Sequence, residues 1–244
     1  MTLALGKLAK RDDARNLKLA NYLNTDELPA LPLHRAWSPR VSRWGMFANN
    51  RLGTCTVAAA AHAVQVWSSN NDRPVVISDA DIVKAYKAIS DYDGTPETDW
   101  GATALDLLKH WRTTGIGGHR ILAFAEIDPR DHATLMHAIN LFGGVYVGFQ
   151  LPRSTETESI WADTRGKPGE RGGHAVWLPN YAPSQRDCVT WGHRQVMTPE
   201  WVDRYADEVY APLSEDWTGP DLVAPNGLRL HELLSDLKQV ADGR

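Results

Sequence analysis

The chain has 244 residues, a hydrophobic fraction of 43%, a charged fraction of 23% and a formal net charge of −4. Those values sit near the average for soluble globular proteins and suit one domain, or one domain in two lobes, which excludes a disordered chain and a fibrous repeat. No long basic run offers phosphates a partner, so nucleic acid is not expected. Nor is a membrane, because no window reaches the roughly 18 apolar residues of a span.

The short apolar stretch Leu3 to Leu5 precedes Lys7, Lys10 and Arg11, the reverse of a signal peptide, and a soluble cytoplasmic protein is the expectation. Residues 1–30 read as a leading arm with a modest helix over Asp12 to Tyr22. Leu31 to Asn50, with Pro32, Pro39 and scattered aromatics, reads as extended chain over a core. Cys55 then opens a helix whose Ala-rich body, Thr56 to Trp67, has the apolar spacing of an element buried on most sides. Ser78 and Asp81 form a capping pattern ahead of Ile82, Val83, Tyr86 and Ile89, which predicts a second helix ending before Asp91. Thr103 to Trp111 predicts a third, closed by Gly115, and a short fourth runs from Pro129 or His132 to Asn140.

Beyond Asn140 the texture turns to strands. Gly144 to Gln150 reads as a buried strand, and Arg153 to Arg171 as a long exposed loop. His174 to Leu178 and Asp187 to Trp191 form a hairpin candidate through Asn180 to Arg186. Thr198 to Ala206 reads as a terminal helix with Pro199 in its first turn. Helices first and antiparallel sheet later make an α+β fold, with residues 31–120 mainly helical and residues 121–244 mainly β.

Cys55 stands at the start of an apolar helix after Gly53. Unpaired amides at a helix N-terminus stabilise a thiolate and can bind an oxyanion, so the thiol pKa is expected to fall. The competing reading is a small core residue, the commoner fate of a free cysteine. His174 begins a hydrophobic strand after Gly172 and Gly173, where imidazole could take a thiol proton; the competing reading is a half-buried histidine ending a strand. Asn49 and Asn50 also read as a turn pair bonded to local backbone. The only other cysteine is Cys188, and a disulfide between the two is left open. The cysteines lack paired metal-ligand spacing and no glycine-rich phosphate loop occurs, so neither a metal nor a cofactor is expected.

Pro32, Trp37, Asn49, Gly53 and Cys55 stand in one ungapped register that resembles the mature N-terminal pattern of the papain family of cysteine peptidases. Ile77 to Val83 looks like the stretch that opens that family's second helix, and Asp99-Trp100-Gly101 like the loop before its third. Gly173-His174-Ala175-Val176 is similar to the segment bearing its catalytic histidine, and Thr190-Trp191-Gly192 to its serine-tryptophan-glycine signature. The glycine-x-cysteine-threonine motif around Cys55 is also similar to one in bacterial and phage proteins.

The resemblance implies a two-lobed fold, a helical lobe packed against a β lobe, acting on peptide or protein substrates. It implies Cys55 as nucleophile, His174 as acid and base, and Asn49 as oxyanion donor on a stem one methylene shorter than the family's glutamine. Val189 replaces the asparagine that orients the histidine, which leaves Thr190, Asp187, a backbone carbonyl or water for that task. Leu52 stands where secreted members have a disulfide cysteine, and the leading arm is shorter than the family's inhibitory propeptide; both fit an intracellular protein. Trp100 and Trp191 are expected to flank the cleft, with Trp191 shielding the histidine. A thiol-dependent amidase or transferase, and a catalytically silent protein-binding module, are the alternatives to a peptidase.

Overall fold

A computed structural model describes residues 3–23, 28, 30–219 and 223–227; the ends of the expected leading arm and β lobe lie outside them. The described α-helices are α1 (Cys55–Asn70), α2 (Asp79–Ile89), α3 (Ala104–Thr113), α4 (His132–Phe142), α5 (Pro199–Tyr205) and α6 (Glu215–Thr218). The strands are β1 (Leu17–Lys18), β2 (Arg35–Ala36), β3 (Ala123–Ile127), β4 (Val145–Leu151), β5 (Ile160–Trp161), β6 (Gly172–Ala182), β7 (Gln185–Thr190), β8 (His193–Met197) and β9 (Ala206–Leu213). They form one mixed sheet in the order β1-β3-β9-β4-β6-β7-β8-β5, with β2 added beside β6. This is the expected α+β class. Among the described residues no helix is long and apolar enough to cross a membrane.

Helix α1 is the central element. Every residue from Cys55 to Ser69 is buried, and the run of alanines keeps its surface thin enough for close approach by β6, β7, α2, α3 and α6. Near its C-terminal end Trp67 stacks on Trp111 with ring centroids 5.6 Å apart and meets Trp177 of β6 edge-on at 5.3 Å. Its indole N–H donates to the Phe142 carbonyl at 2.7 Å, which removes the polar cost of burying the ring. The capping pattern at Ser78 works as expected, its side chain accepting from the Asp81 amide, and Thr103, Asp131 and Thr198 do the same for α3, α4 and α5.

Several expectations need correction. The helix expected over Asp12 to Tyr22 does not form. Leu17 and Lys18 instead pair in parallel with β3, and only Leu19–Asn21 makes a 3-10 turn. Lys10 and Lys18 reach Glu126 of β3 at 2.7 and 2.5 Å and Leu19 is buried, so tertiary contacts override a weak helical preference. The expected exposed loop contains a 3-10 turn at Arg153–Glu156 and β5. The hairpin strands are longer than expected, with a tight turn at Pro183 and Ser184. Nor is the sheet wholly antiparallel, because β1–β3 and β5–β8 run parallel.

Helix α5 is not terminal. It leads into β9, which pairs antiparallel with both β3 and β4 in mid-sheet. Asp207, Glu208 and Pro212 break the apolar alternation that marks a strand, which hid β9 from the sequence pattern. Trp67→Ala is expected to lower the unfolding free energy by about 3–5 kcal/mol, read as a lower urea midpoint with an unchanged slope. Trp67→Phe should cost less, because only the indole N–H and part of the stacking area are lost.

Candidate active site

The turn ahead of α1 is strained and tightly held. Phe47 and Ala48 are buried and adopt φ of 54° and 58°, values side chains other than glycine seldom take. The Thr54 hydroxyl donates to the Phe47 carbonyl at 2.9 Å, so it is not spent capping the helix, and α1 begins without a side-chain cap. Gly53 N–H donates to the Asp99 carboxylate at 3.1 Å, and the Tyr86 hydroxyl donates to the same carboxylate at 2.5 Å while accepting from Gly101 N–H at 2.9 Å. Burial and that carboxylate raise the Tyr86 pKa. These bonds join the turn before Cys55 to the loop before α3.

The first turn of α1 meets β6. Backbone amides of Ala175, Gly6 and Thr56 point at the Cys55 sulfur, so the residue after His174 touches the thiol. His174, opposite Phe149 of β4, is fully buried, and its Nε2 shares a 2.5 Å hydrogen bond with Thr190 Oγ1. Trp191 stacks on the imidazole with centroids 4.2 Å apart, and the Arg171 guanidinium lies 5.2 Å from the Trp191 ring. Among the candidates for holding the histidine, Thr190 takes the place. Asp187 is turned away, held by Asn180 at 3.1 Å and by Arg194. His174 Nδ1 is buried and has no hydrogen-bond partner.

The leading arm runs through this site. Lys7 N–H donates to the Gly173 carbonyl at 3.2 Å, Leu8 N–H to Ala102 at 3.0 Å, and Ala102 N–H to Gly6 at 2.8 Å. The approach is so close that a Cβ on Gly6 would fall 1.9 Å from the Gly53 carbonyl oxygen, and one on Gly173 would fall 2.1 Å from that of Lys7. Asn49 Nδ2 donates to the Ala4 carbonyl at 3.3 Å, as well as to Leu52 at 3.1 Å, and the Trp191 indole N–H donates to the same Ala4 oxygen at 3.1 Å. Two side-chain donors therefore converge on one peptide carbonyl beside Cys55.

Burial governs the electrostatics. It pushes the Cys55 thiol up to about 11, against the three amides and the Lys7 charge, which all pull it down. It holds His174 well below the ordinary imidazole range, and the Arg171 and His62 charges add to that effect. The depressed thiol pKa expected from the helix end is not a property of this arm-filled conformation, because desolvation outweighs the amides. Both cysteines are free and buried, and Cys188 lies on β7, two residues before Thr190. Among the described residues no cluster of three or more His, Cys, Asp or Glu could hold a metal.

Sequence reasoning brought forward Cys55, His174, Asn49 and Trp191; residues 4–7 meet Cys55, Asn49 and Trp191, and Trp191 in turn stacks on His174. Trp100 is 72% exposed beside Gly101. Asp99, Lys7 and the arm as an occupant were missed. Gly53, two residues before Cys55 and bonded to Asp99, is the glycine of the expected motif, but nothing in the order of residues 3–8 points to a cleft.

No protein-family model and no curated protein sequence matches the chain. Solved structures do. Xylellain, a cysteine protease from Xylella fastidiosa, superposes with a TM-score of 0.64 at 16% identity, covering 87% of this chain and 96% of that one. Procathepsin B S9 from Trypanosoma congolense gives 0.63 at 10% identity, covering 87% of each chain. Digestive procathepsin L 3 of the Tenebrio molitor larval midgut gives 0.61 at 14% identity, covering 85% of this chain and 75% of that one. The chain thus shares its architecture with enzymes of distant sequence: its fold is that of the papain-like cysteine proteases.

Proposed function

We propose that the protein is a cysteine peptidase whose nucleophile is Cys55 and whose acid and base is His174. The observation that carries this reading is the uncapped start of α1 against the segment His174–Ala175, with His174 Nε2 anchored on Thr190 and Nδ1 left without a partner. With Nε2–H donating to the threonine oxygen, Nδ1 holds the lone pair that accepts the thiol proton. The thiolate sulfur attacks a peptide carbonyl carbon, and the oxyanion gains the Asn49 side-chain N–H. As the C–N bond breaks, the imidazolium returns its proton to the leaving amine. Water, deprotonated by the same nitrogen, then splits the thioester to release the acid and free Cys55. An amine in place of that water would make the chain a transferase through the same dyad.

For this chemistry residues 3–8 must leave the cleft, since Gly6 and Ala4 stand where substrate would lie. Departure admits water, lowers the desolvation penalty on both partners and lets a thiolate–imidazolium pair form. The raised thiol pKa also favours a second reading, a catalytically silent module that binds a protein partner.

Iodoacetamide labelling of Cys55, followed by mass spectrometry of its peptide, separates the two. In the wild type a thiol at about 11 leaves roughly one thiolate in 10,000 at pH 7, so labelling should be slow and climb only as pH rises toward that value. Gly6→Ala expels the arm by overlap with Gly53; labelling of Cys55 should become fast at neutral pH, and His174→Ala in that background should abolish the gain. If the Gly6→Ala chain labels Cys55 like an ordinary thiol whether or not His174 is present, the binding-module reading replaces the peptidase.

Thr190 supplies a second check. In the Gly6→Ala background, Thr190→Val should lower kcat on fluorescein-labelled casein by about 10–100-fold with little change in KM, while Thr190→Ser keeps most of the activity. Equal turnover by the valine and serine variants would remove Thr190 from the orienting role.

A further inference from the structure

The proposed chemistry makes no use of Lys7, whose side chain is wholly buried. Its ammonium lies 2.8 Å from Asp207 Oδ2 and 2.9 Å from Glu208 Oε1 and donates to the Leu8 carbonyl at 3.2 Å. Both carboxylates are held from behind. Gln150 Nε2 donates to Asp207 Oδ2 at 2.7 Å, and the Tyr210 hydroxyl donates to Glu208 Oε2 at 3.0 Å. Gly148 of β4, opposite Glu208 in the sheet, leaves room for the aliphatic stem: a Cβ there would come 2.2 Å from Lys7 Cε and 2.6 Å from Glu208 Cγ. The Lys7 amide is bonded to Gly173, so the residue that fills this pocket is anchored one residue from His174.

Lys7 belongs to the arm, whereas its two acidic partners belong to the sheet. When the arm leaves, Glu208, with a side chain 1% exposed, stays behind on β9 without its cation. Burial raises its pKa and the Lys7 ammonium pulls it back, so an emptied pocket is electrostatically incomplete. An apolar side chain entering it would leave the carboxylates unmatched, while a cation restores the match. Asp207 Oδ1 is also buried without a hydrogen bond, a further acceptor for the forked donors of a guanidinium.

We infer that Asp207, Glu208 and Gly148 form a socket for the lysine or arginine side chain of a peptide substrate, occupied here by the chain's own Lys7. This specificity rests on the peptidase reading, but the socket can be tested by binding alone.

The probe is a fluorescein-labelled peptide Leu-Ala-Leu-Gly-Lys-Leu, the sequence of residues 3–8, and its versions with arginine, leucine or glutamate in place of lysine. Fluorescence anisotropy is read on the full Gly6→Ala chain. Lys7→Glu, which expels the arm by charge repulsion instead of overlap, serves as a second background. The lysine and arginine peptides should bind roughly tenfold or more tighter than the leucine peptide, and Glu208→Gln should remove most of that difference. Equal binding of all four, or tightest binding of the leucine peptide, overturns the socket. Peptidyl aminomethylcoumarin amides carrying arginine or leucine are then compared for kcat/KM. Binding discrimination without turnover sinks the peptidase reading and keeps the socket; turnover without discrimination in either assay does the reverse.

Discussion

Helix α1 lies inside the protein from Cys55 to Ser69, and that burial governs what its first residue can do. A helix end in water would solvate its free amides; this one turns the Thr56 amide, with those of Ala175 and Gly6, toward the Cys55 sulfur. The contact with Ala175 fixes the neighbouring His174 beside the helix end, since β6 is clamped between β4 and β7. Pre-organisation of this kind requires a rigid wall on each side, and the alanines of α1 make close packing on β6 sterically cheap.

The same burial works against ionisation. Amides and the Lys7 charge favour thiolate, desolvation disfavours it, and the outcome near 11 for Cys55 shows which effect is larger while the arm is in place. Burial thus disfavours the charged form of both side chains, thiolate on Cys55 and imidazolium on His174.

Local strain is concentrated around the site. Phe47, Ala48 and Trp191 all take left-handed backbone conformations, and each is over-determined by its surroundings. Phe47 accepts the Thr54 hydroxyl, and Trp191 is fixed by His174 stacking, by Arg171 and by the bond to Ala4. Asp99 ties the Gly53 turn to Tyr86 and through it to Gly101. The arm exploits this rigidity, threading between Gly53, Gly101 and Gly173 where no side chain intervenes.

Local physics was enough to read the helices α1 to α5, the cap at Ser78 and the strand β4, and it placed Cys55 at a helix start and His174 at a strand start, while the roles of Cys55, His174 and Asn49 as site candidates came from the resemblance to the papain family. Apolar period, capping residues and the position of a thiol at a helix start are all properties of neighbouring residues. Contacts between distant segments decided the rest. Thr190, one residue beyond Val189, became the partner of His174 because strand direction sets which side chain faces it. Strand β9, with two carboxylates and a proline, exists because β3 and β4 pair with it on both sides. The arm lost its expected helix to pairing with β3 and to Glu126, and the worth of Lys7 depends on an acid 200 residues away. No pattern of near neighbours encodes such a distance, since only folding brings those charges together and removes the water between them.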